Sequence, residues 1–291
     1  MISFQEQYEN YKRSVDKALA ALPWESGRLS RCMAYSLLGG GKRLRPVIVL
    51  AAAALVGGDP AKIVSPACGL ELIHTYSLIH DDLPCMDDDD TRRGLPASHI
   101  AFGEAAAVLA GDALLTLGLE LVASPLPGIP PERGLRAVAV VAAAAGWRGM
   151  AGGQMLDMDG PPEKPDLAWL EHMQQMKTGA LFVAAAELGA ILAGAAESEL
   201  KGLRVYAGAL GAAFQIKDDM LDLEGESETL GKPAGSDLKH SKLTYPAILG
   251  PERAAAVLRQ KTEEAVSALG VWGEEAVFLR ELALKAADRE K

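Results

Sequence analysis

Residues 71–90 read ELIHTYSLIHDDLPCMDDDD, an apolar segment that runs into six aspartates. A second acidic cluster, DDMLD at residues 218–222, follows the apolar segment ALGAAFQIK. Clustered carboxylates repel one another unless a cation neutralises them. Two clusters that each end a helix-like segment predict two facing helices with divalent cations between them. Oxygen-only ligands favour Mg²⁺, which takes one or two carboxylates and completes its shell with water and substrate phosphate. The pattern therefore predicts a di- or triphosphate substrate held through metal.

The spacing of the second cluster places carboxylates on one face of a helix. Asp218 and Asp222 are four residues apart, and Asp219 lies beside them. The alternative is an acidic helix end that faces water. The preceding turn, with Phe214 and Ile216, is apolar on most sides, which favours a buried helix.

The first cluster does not fit one regular helix. Asp87 follows Asp81 by six residues, which on a helix lies about 120° away from the same face. Pro84 between them cannot continue the helical hydrogen bonds. A local bulge would bring Asp87 back beside Asp81, whereas Asp88 would face the same way without a bulge. Spacing alone leaves both possibilities open.

Composition predicts helices that pack closely through small side chains. Ala, Leu and Gly dominate the 291 residues, and aromatic residues make up only 5%. Apolar residues recur at helical spacing, and no period-two stretch is long enough to predict a sheet. We expect one all-α domain over residues 1–291, a helical bundle around a deep central cavity. The predicted helices span residues 3–22, 28–38, 44–57, 61–83, 103–122, 132–151, 167–193, 198–224, 243–249, 252–269 and 273–289.

Charge and cysteine usage exclude several classes of protein. The net charge of −10 argues against a nucleic-acid-binding protein. Three cysteines without a CxxC motif indicate a reduced, cytoplasmic protein. The N-terminal segment lacks the apolar region of a signal peptide. The sequence has no uncharged apolar stretch of about 18 residues, so we expect no stable membrane insertion.

Basic residues are concentrated near glycines and near the first acidic cluster. GGGKRLRP, residues 39–46, places Lys42, Arg43 and Arg45 beside a flexible turn that can approach an anion closely. Arg92 and Arg93 follow the aspartates directly. A solvated basic turn and simple Arg–Asp pairing are the alternatives. Bidentate recognition of phosphate by arginine is the functional interpretation.

Seven short motifs occur in the order GGGKRLRP, LIHDDLPCMDDDDTRRGLPASH, GMAGGQMLD, KTGALF, FQIKDDMLD, TLGKPAGSD and KLTYP. In this order the chain resembles the trans-isoprenyl diphosphate synthases, and more narrowly their bacterial farnesyl diphosphate synthase (geranyltranstransferase) branch. The resemblance implies an all-α homodimer of the isoprenoid synthase type. It also implies a Mg²⁺-dependent prenyltransferase that condenses isopentenyl diphosphate with dimethylallyl or geranyl diphosphate. The expected product is (2E,6E)-farnesyl diphosphate.

The resemblance also assigns roles to residues. The carboxylates that would hold Mg²⁺, three ions when substrate is bound, are Asp81, Asp87 and Asp218, supported by Asp82, Asp219 and Asp222. The allylic diphosphate would lie beside Arg92, Lys177 and Lys232. Isopentenyl diphosphate would bind at Lys42, Arg45, His74 and Arg93, with Lys242 as a further substrate-binding residue. The developing cation would be lined by Thr178 and Gln215. The expected catalytic group is therefore Lys177, Thr178, Gln215, Arg92 and Lys232.

Product length would be set by the floor of the cavity. Tyr76 lies five residues before Asp81 and Ser77 four, each a little over one turn into the cavity. Tyr76 would block growth beyond C15, and an ordinary core aromatic is the alternative. A geranylgeranyl diphosphate synthase is the alternative function. A terpene cyclase or a non-catalytic synthase subunit fits less well, because both acidic clusters and the basic segments are complete.

Some residues near the motifs stay open. Gln154 and Asp157 are expected to hydrogen-bond to Lys177 or to the acidic helices. The sequence assigns no role to His80 and no redox role to Cys85. The chain ends in Arg289-Glu290-Lys291. The resemblance implies a basic tail that closes over a diphosphate, and a solvated end is the alternative.

Overall fold

The structure, a computed structural model, describes residues 2–224 and 243–289. The α-helices in chain order are α1 (Phe4–Ala20), α2 (Arg28–Leu38), α3 (Leu44–Leu55), α4 (Val64–Asp81), α5 (Ser98–Phe102), α6 (Glu104–Ala123), α7 (Pro131–Ala145), α8 (Met150–Asp159), α9 (Leu167–Gln174), α10 (Ala180–Ala193), α11 (Glu197–Glu224), α12 (Tyr245–Leu249), α13 (Pro251–Ala268) and α14 (Val277–Asp288). A π-helical turn, Gln175–Gly179, joins α9 to α10. Short 3₁₀ turns span Pro60–Ile63 and Gly270–Ala276. The predicted all-α fold is confirmed.

Helices α4 and α10 form the centre of the bundle. Helix α4 packs against α1, α3 and α6, and α10 packs against α3, α7 and α11. Both bury residues around most of their circumference, as helices enclosed on all sides do. The close packing that composition predicted is present. A Cβ at Gly189 of α10 would lie 2.0 Å from the carbonyl oxygen of Val49 on α3.

The sequence prediction of one helix over residues 132–151 is wrong. Helix α7 ends at Ala145, and α8 begins at Met150. Gly149 allows this break, because a Cβ there would lie 2.1 Å from the carbonyl oxygen of Ala144. The new direction brings the GGQMLD segment alongside the π-helical turn.

A short hairpin follows the first acidic cluster. Strand β1 (Thr91–Arg92) pairs antiparallel with β2 (Leu95–Pro96). Arg93 in its turn has a φ of 55°, the left-handed conformation. The two strands are too short to be predicted from periodicity. The hairpin sets the directions in which the side chains of Arg92 and Arg93 point.

Two helical stretches are long and apolar enough to cross a membrane, judged by length and composition alone. They are Glu104–Ala123 and Leu167–Ala193. The most apolar window of the second is 67% buried inside the protein, as in a core helix, whereas that of the first is only 33% buried. Helix α6 therefore has an apolar outer face that the described part of the chain does not cover.

Candidate active site

Both acidic clusters and the basic GGGKRLRP turn line one cavity of about 570 Å³. A second cavity of about 320 Å³ adjoins it and is lined by Tyr76, Ser77, Met86 and Met150. The side chains that line both spaces are Arg45, His74, Leu78, Asp81, Lys177 and Thr178. The arrangement is thus a charged cavity that adjoins a smaller and more apolar one.

The first acidic cluster turns back on itself at the end of α4. The backbone N–H of Asp87 donates to the carbonyl oxygen of Asp81 at 2.9 Å, and that of Asp88 donates to Leu83 at 3.1 Å. The bulge that the sequence left open is therefore present. Asp81 and Asp87 both line the larger cavity. Asp88 is exposed and has a φ of 52°.

Asp82, next to Asp81, is buried against Arg92. The Nε of Arg92 donates to Oδ1 of Asp82 at 2.9 Å, a second contact joins Nη2 to the same oxygen, and Asp89 lies 3.4 Å from that nitrogen. Burial raises the pKa of Asp82, and the hydrogen bond from Arg92 acts in the opposite direction. Arg92 also lines the larger cavity. Asp82 therefore positions an arginine at the mouth of the site.

The second acidic cluster is held by amides from its own helix and from two other parts of the chain. Asp219 is 2% exposed. It accepts hydrogen bonds from Gln215 at 2.9 Å, from Gln174 at 3.4 Å and from the backbone of Tyr245 at 3.1 Å. Asp222 is also buried and lines the cavity. Through these hydrogen bonds, Asp219 ties the end of α11 to α9 and α12.

Arg289, the last described residue, contacts two residues that line the larger cavity, Asp218 and Phe214. Its Nη2 is 2.7 Å from Oδ1 of Asp218 and donates to the carbonyl oxygen of Phe214 at 2.8 Å. The guanidinium also stacks on the Phe214 ring, 3.8 Å from its centroid. The sequence left this residue open between a closing role and a solvated end, and here it faces an acidic cluster. The sequence signal was the resemblance to relatives that end in a basic segment.

The basic turn contains one structural arginine. Arg43 is buried and pairs with Glu71 at 2.8 Å and with Asp16 at 2.9 Å, and it donates to Leu37 at 2.7 Å. The sequence counted Arg43 among the local cations, but its charge is already neutralised. Glu71 on an apolar helix was the signal for this pair. The ion pair fixes a left-handed residue, with φ 53°, at the start of α3.

Arg45 and His74 form a polar pair that both cavities share. The Nη1 of Arg45 donates to Nε2 of His74 at 3.2 Å, and its guanidinium lies 4.9 Å from the Phe182 ring centroid. Burial lowers the pKa of Arg45 to about 10 and, with the charge of Arg45, lowers the pKa of His74 well below its usual range. A neutral His74 is able to accept this hydrogen bond. Among the described residues, nothing accepts from the buried Nε of Arg45.

Lys42 and Arg93 complete the basic side of the larger cavity. Arg93 donates to the carbonyl oxygen of Gly40 at 2.6 Å. A Cβ at Gly41 would lie 3.0 Å from the Arg93 guanidinium carbon, so the glycine leaves room for this side chain. Burial and the neighbouring charge of Arg289 lower the pKa of Lys42. Within the described residues, six cationic side chains line the same cavity as the acidic clusters: Lys42 and Arg93 with Arg43, Arg45, Arg92 and Lys177.

The KTG segment lies in the π-helical turn. Lys177 pairs with Asp157 of α8 at 2.6 Å, as the sequence predicted. The Thr178 hydroxyl donates to Oε1 of Gln215 at 3.0 Å. Single π-helical turns are frequent at functional sites, since they redirect side chains from the regular helix. The expected contacts of Gln154 are not made, because its buried amide has no hydrogen-bond partner among the described residues.

Two of the other predicted residues line the smaller cavity, and two lie outside the described residues. Tyr76 and Ser77 line the smaller cavity, and the Ser77 hydroxyl donates to the carbonyl oxygen of His74 at 2.9 Å. Burial raises the pKa of Tyr76 to about 12, which keeps its phenol neutral. Lys232 and Lys242 lie outside the described residues.

The oxygen ligands fit a hard cation without forming a closed cage. Within residues 2–224 and 243–289, no three His, Cys, Asp or Glu side chains converge on one point as a preformed metal site. Mg²⁺ does not need three, since it is usually bound through one or two carboxylates and substrate phosphates. The guanidinium of Arg289 on Asp218 shows that this carboxylate accepts a cation.

Comparison with known proteins agrees with this geometry. A family model described as polyprenyl synthetase matches residues 26–270. The chain is 50% identical over 239 residues to geranylgeranyl pyrophosphate synthase 3, chloroplastic, of Arabidopsis thaliana. This match covers 79% of the present chain and 66% of the Arabidopsis protein. The chain is 47% identical over 243 residues to the farnesyl diphosphate synthase of Bacillus subtilis (strain 168), covering 83% of this chain and 82% of that protein.

A solved structure gives the same result. The geranyltransferase of Helicobacter pylori, crystallised with magnesium and isoprenyl diphosphate, superposes with a TM-score of 0.86 and 30% identity over 99% of this chain and 97% of that one. The trans-isoprenyl diphosphate synthase resemblance is thereby confirmed. The chain is a member of the polyprenyl synthetase family of prenyltransferases.

Proposed function

We propose that this protein condenses isopentenyl diphosphate with dimethylallyl or geranyl diphosphate and releases farnesyl diphosphate. One observation carries the proposal. Two acidic clusters and a basic turn line a single cavity, which adjoins a second cavity that contains Tyr76. The larger, charged cavity suits two diphosphates, and the smaller, more apolar cavity suits a hydrocarbon chain. The B. subtilis and H. pylori proteins support this assignment by their names.

Mg²⁺ is the proposed cofactor, with three ions in the substrate complex. Asp81, Asp87 and Asp218 would hold them, because these carboxylates lie at the larger cavity. The buried carboxylates Asp82 and Asp219 would support them through Arg92 and Gln215. Bound Mg²⁺ would neutralise charge on the leaving diphosphate.

Residues of this chain would then assist cleavage of the bond between the allylic carbon and the diphosphate oxygen. Arg92 and Lys177 would bind the leaving group, and Asp157 holds the Lys177 ammonium in place at 2.6 Å. Lys232 is proposed beside them on the resemblance alone. Their charges must face the phosphate oxygens, because a cation next to the allylic carbon would oppose ionisation.

The allylic cation would meet a fixed dipole. Gln215 accepts from Thr178 and donates to Asp219, so its orientation is set at both ends. The lone pairs of the Thr178 oxygen are therefore available to a neighbouring positive carbon. The smaller, more apolar cavity would limit access of water that could capture the cation.

Isopentenyl diphosphate would bind on the basic turn. Arg45 has a buried Nε that no described residue accepts from, which suits an incoming phosphate oxygen. Lys42, His74 and Arg93 would complete the site, with Lys242 proposed by resemblance. The double bond attacks the allylic carbon, and a proton leaves to the released diphosphate.

Tyr76 supports farnesyl diphosphate over longer products. Tyr76 lines the smaller cavity, where its ring would stop growth beyond a C15 chain. A geranylgeranyl product is the second candidate, because the Arabidopsis relative with that name is as similar as the farnesyl synthases.

A product assay tests the proposal. The protein is incubated with geranyl diphosphate, labelled isopentenyl diphosphate and Mg²⁺, with and without EDTA, and the dephosphorylated alcohols are sized. We expect a C15 alcohol that EDTA abolishes. A C20 alcohol would replace the farnesyl assignment by the second candidate. An absence of condensation with either allylic primer would overturn both.

The protein is also proposed to act as a homodimer through the outer face of α6. Val108 and Leu109 on this face are 39% and 57% exposed. Exposed apolar patches on a largely apolar helix favour association. Light scattering should give the mass of a dimer for the wild type and of a monomer for Leu109→Glu. A monomeric wild type would contradict the proposal.

A further inference from the structure

Tyr76 is in direct contact with His80, one helical turn further along α4. The two ring centroids are 5.7 Å apart, and the ring planes are nearly perpendicular at 80°. Residues four apart on a helix share a face, and edge-to-face packing of aromatic rings is favourable. Both rings line the smaller cavity. His80 therefore lies where it can limit movement of the proposed floor.

His80 in turn is seated on helix α6. Its Nε2 donates to the carbonyl oxygen of Val108 at 3.0 Å and lies 4.0 Å from the Asp112 carboxylate. Gly111 makes room for the imidazole, because a Cβ there would lie 2.1 Å from Nε2. A methyl group at this position has no space unless the ring moves.

We propose that His80, seated against Gly111, holds Tyr76 in place and thereby sets product length. The inference rests on the proposed function. A chain that grows beyond C15 presses on the Tyr76 ring, which yields by rotating or by moving outward. The imidazole occupies the space on one side of that ring and is itself blocked by the α6 backbone. His80 is a positioning residue in this account, because it acts through Tyr76.

Three variants and one control test this chain of contacts. His80→Ala removes the support, and Gly111→Ala pushes the imidazole from its seat. The double variant His80→Ala/Gly111→Ala has no imidazole to displace. Gly118→Ala is the matched control, since it crowds the same two helices but meets the Gly69 carbonyl oxygen and Ile73, each at 2.7 Å, instead of His80. Product sizes from geranyl diphosphate and thermal unfolding are measured for each.

We expect the ratio of C20 to C15 product to rise about tenfold in His80→Ala and in Gly111→Ala, a typical discrimination for a change in an apolar pocket. The double variant should match His80→Ala alone, because Gly111 acts only through the imidazole. The Gly118→Ala control should lose stability and keep the wild-type product ratio.

Two patterns would overturn the inference while the proposed function stands. In one, the wild type makes C15 and the His80 and Gly111 variants keep its ratio. In the other, Gly118→Ala shifts the ratio as much as they do, which would indicate general loosening of the bundle. A wild type that makes no C15 product is a failure of the proposed function itself and removes the floor that His80 would hold.

Discussion

The two acidic clusters offer the same ligand chemistry but are organised by different parts of the molecule. The first is shaped by its own loop, through the hydrogen bond from Asp87 to Asp81 and the Arg92–Asp82 pair within the following hairpin. The second depends on distant groups, since Asp219 binds Gln174 and the Tyr245 backbone, and Asp218 pairs with Arg289. Local geometry is thus enough for one half of the site, and tertiary structure is needed for the other.

The largest effect should come from breaking the first cluster at Asp87. Asp87→Asn removes a charged oxygen from the cavity, and we expect kcat to fall on the order of a thousandfold with Mg²⁺ present. Asp88→Asn is the matched control, because Asp88 is adjacent, exposed and left-handed, a conformation that Asn tolerates. It should keep kcat within about twofold. Equal losses in the two variants would show that the turn does not select Asp87.

The second cluster is tested through its hydrogen-bond network. Thr178→Val removes the hydroxyl that binds Gln215 and keeps the shape of the side chain. We expect kcat to fall about 10- to 100-fold, as for other residues that orient catalytic groups. Thr75→Val is the control, because the buried Thr75 hydroxyl has no hydrogen-bond partner among the described residues. It should leave kcat unchanged and keep or raise the unfolding temperature. A Thr178→Val enzyme with wild-type kcat would contradict the network.

Helical periodicity and the abundance of small residues were enough to predict the all-α bundle. Both are local patterns that show which face of a single helix is buried. The break at Gly149 escaped prediction, since it depends on how α8 packs against the π-helical turn. Within the site, the sequence reduced the possible conformations of the first cluster to two, one with a bulge and one without. It could do so because the position of Pro84 and the spacing of the aspartates are local features. The contact of Arg289 with Asp218 joins residues far apart in the chain, and no pattern encodes that distance.

The neutralised Arg43 teaches a similar lesson about charge. Composition counts an arginine near a glycine turn as available to a substrate. Only the folded chain shows Glu71 and Asp16 already on its guanidinium. Motif spacing identified the residues that line the cavity, and tertiary pairing decided which of them keep a charge to offer.

A smaller effect is expected from His74, which lines the larger cavity and accepts a hydrogen bond from Arg45. Its pKa is well below the usual value, so below about pH 6.5 the unfolded chain binds a proton that the folded protein does not. The free energy of unfolding should therefore fall as pH drops, by up to about 1.4 kcal/mol per pH unit. Urea unfolding at pH 7, 6 and 5 measures this slope. His74→Gln keeps a neutral acceptor for Arg45 and should flatten the slope.

His172→Gln is the control for that experiment, because His172 is exposed on α9. It should preserve the wild-type dependence on pH. Parallel curves for wild type and His74→Gln would mean that His74 does not carry the proton linkage.

The smallest effect is expected from Arg289, which contacts the second cluster from a distant part of the chain. It tests how far that cluster is preorganised compared with the first. The Arg289 guanidinium and Mg²⁺ need the same carboxylate, so Arg289→Gln should lower the Mg²⁺ concentration for half-maximal activity. Asp218 is 43% exposed, and a pair of this kind is worth less than about 1 kcal/mol, which corresponds to about a two- to fivefold shift. Arg280→Gln, on the helix that precedes Arg289, loses hydrogen bonds to the carbonyl oxygens of Leu269 and Gly273, both away from the acidic clusters, and should not shift it. A higher Mg²⁺ requirement in Arg289→Gln would show instead that the arginine assists metal binding, and the second cluster would then be as preorganised as the first.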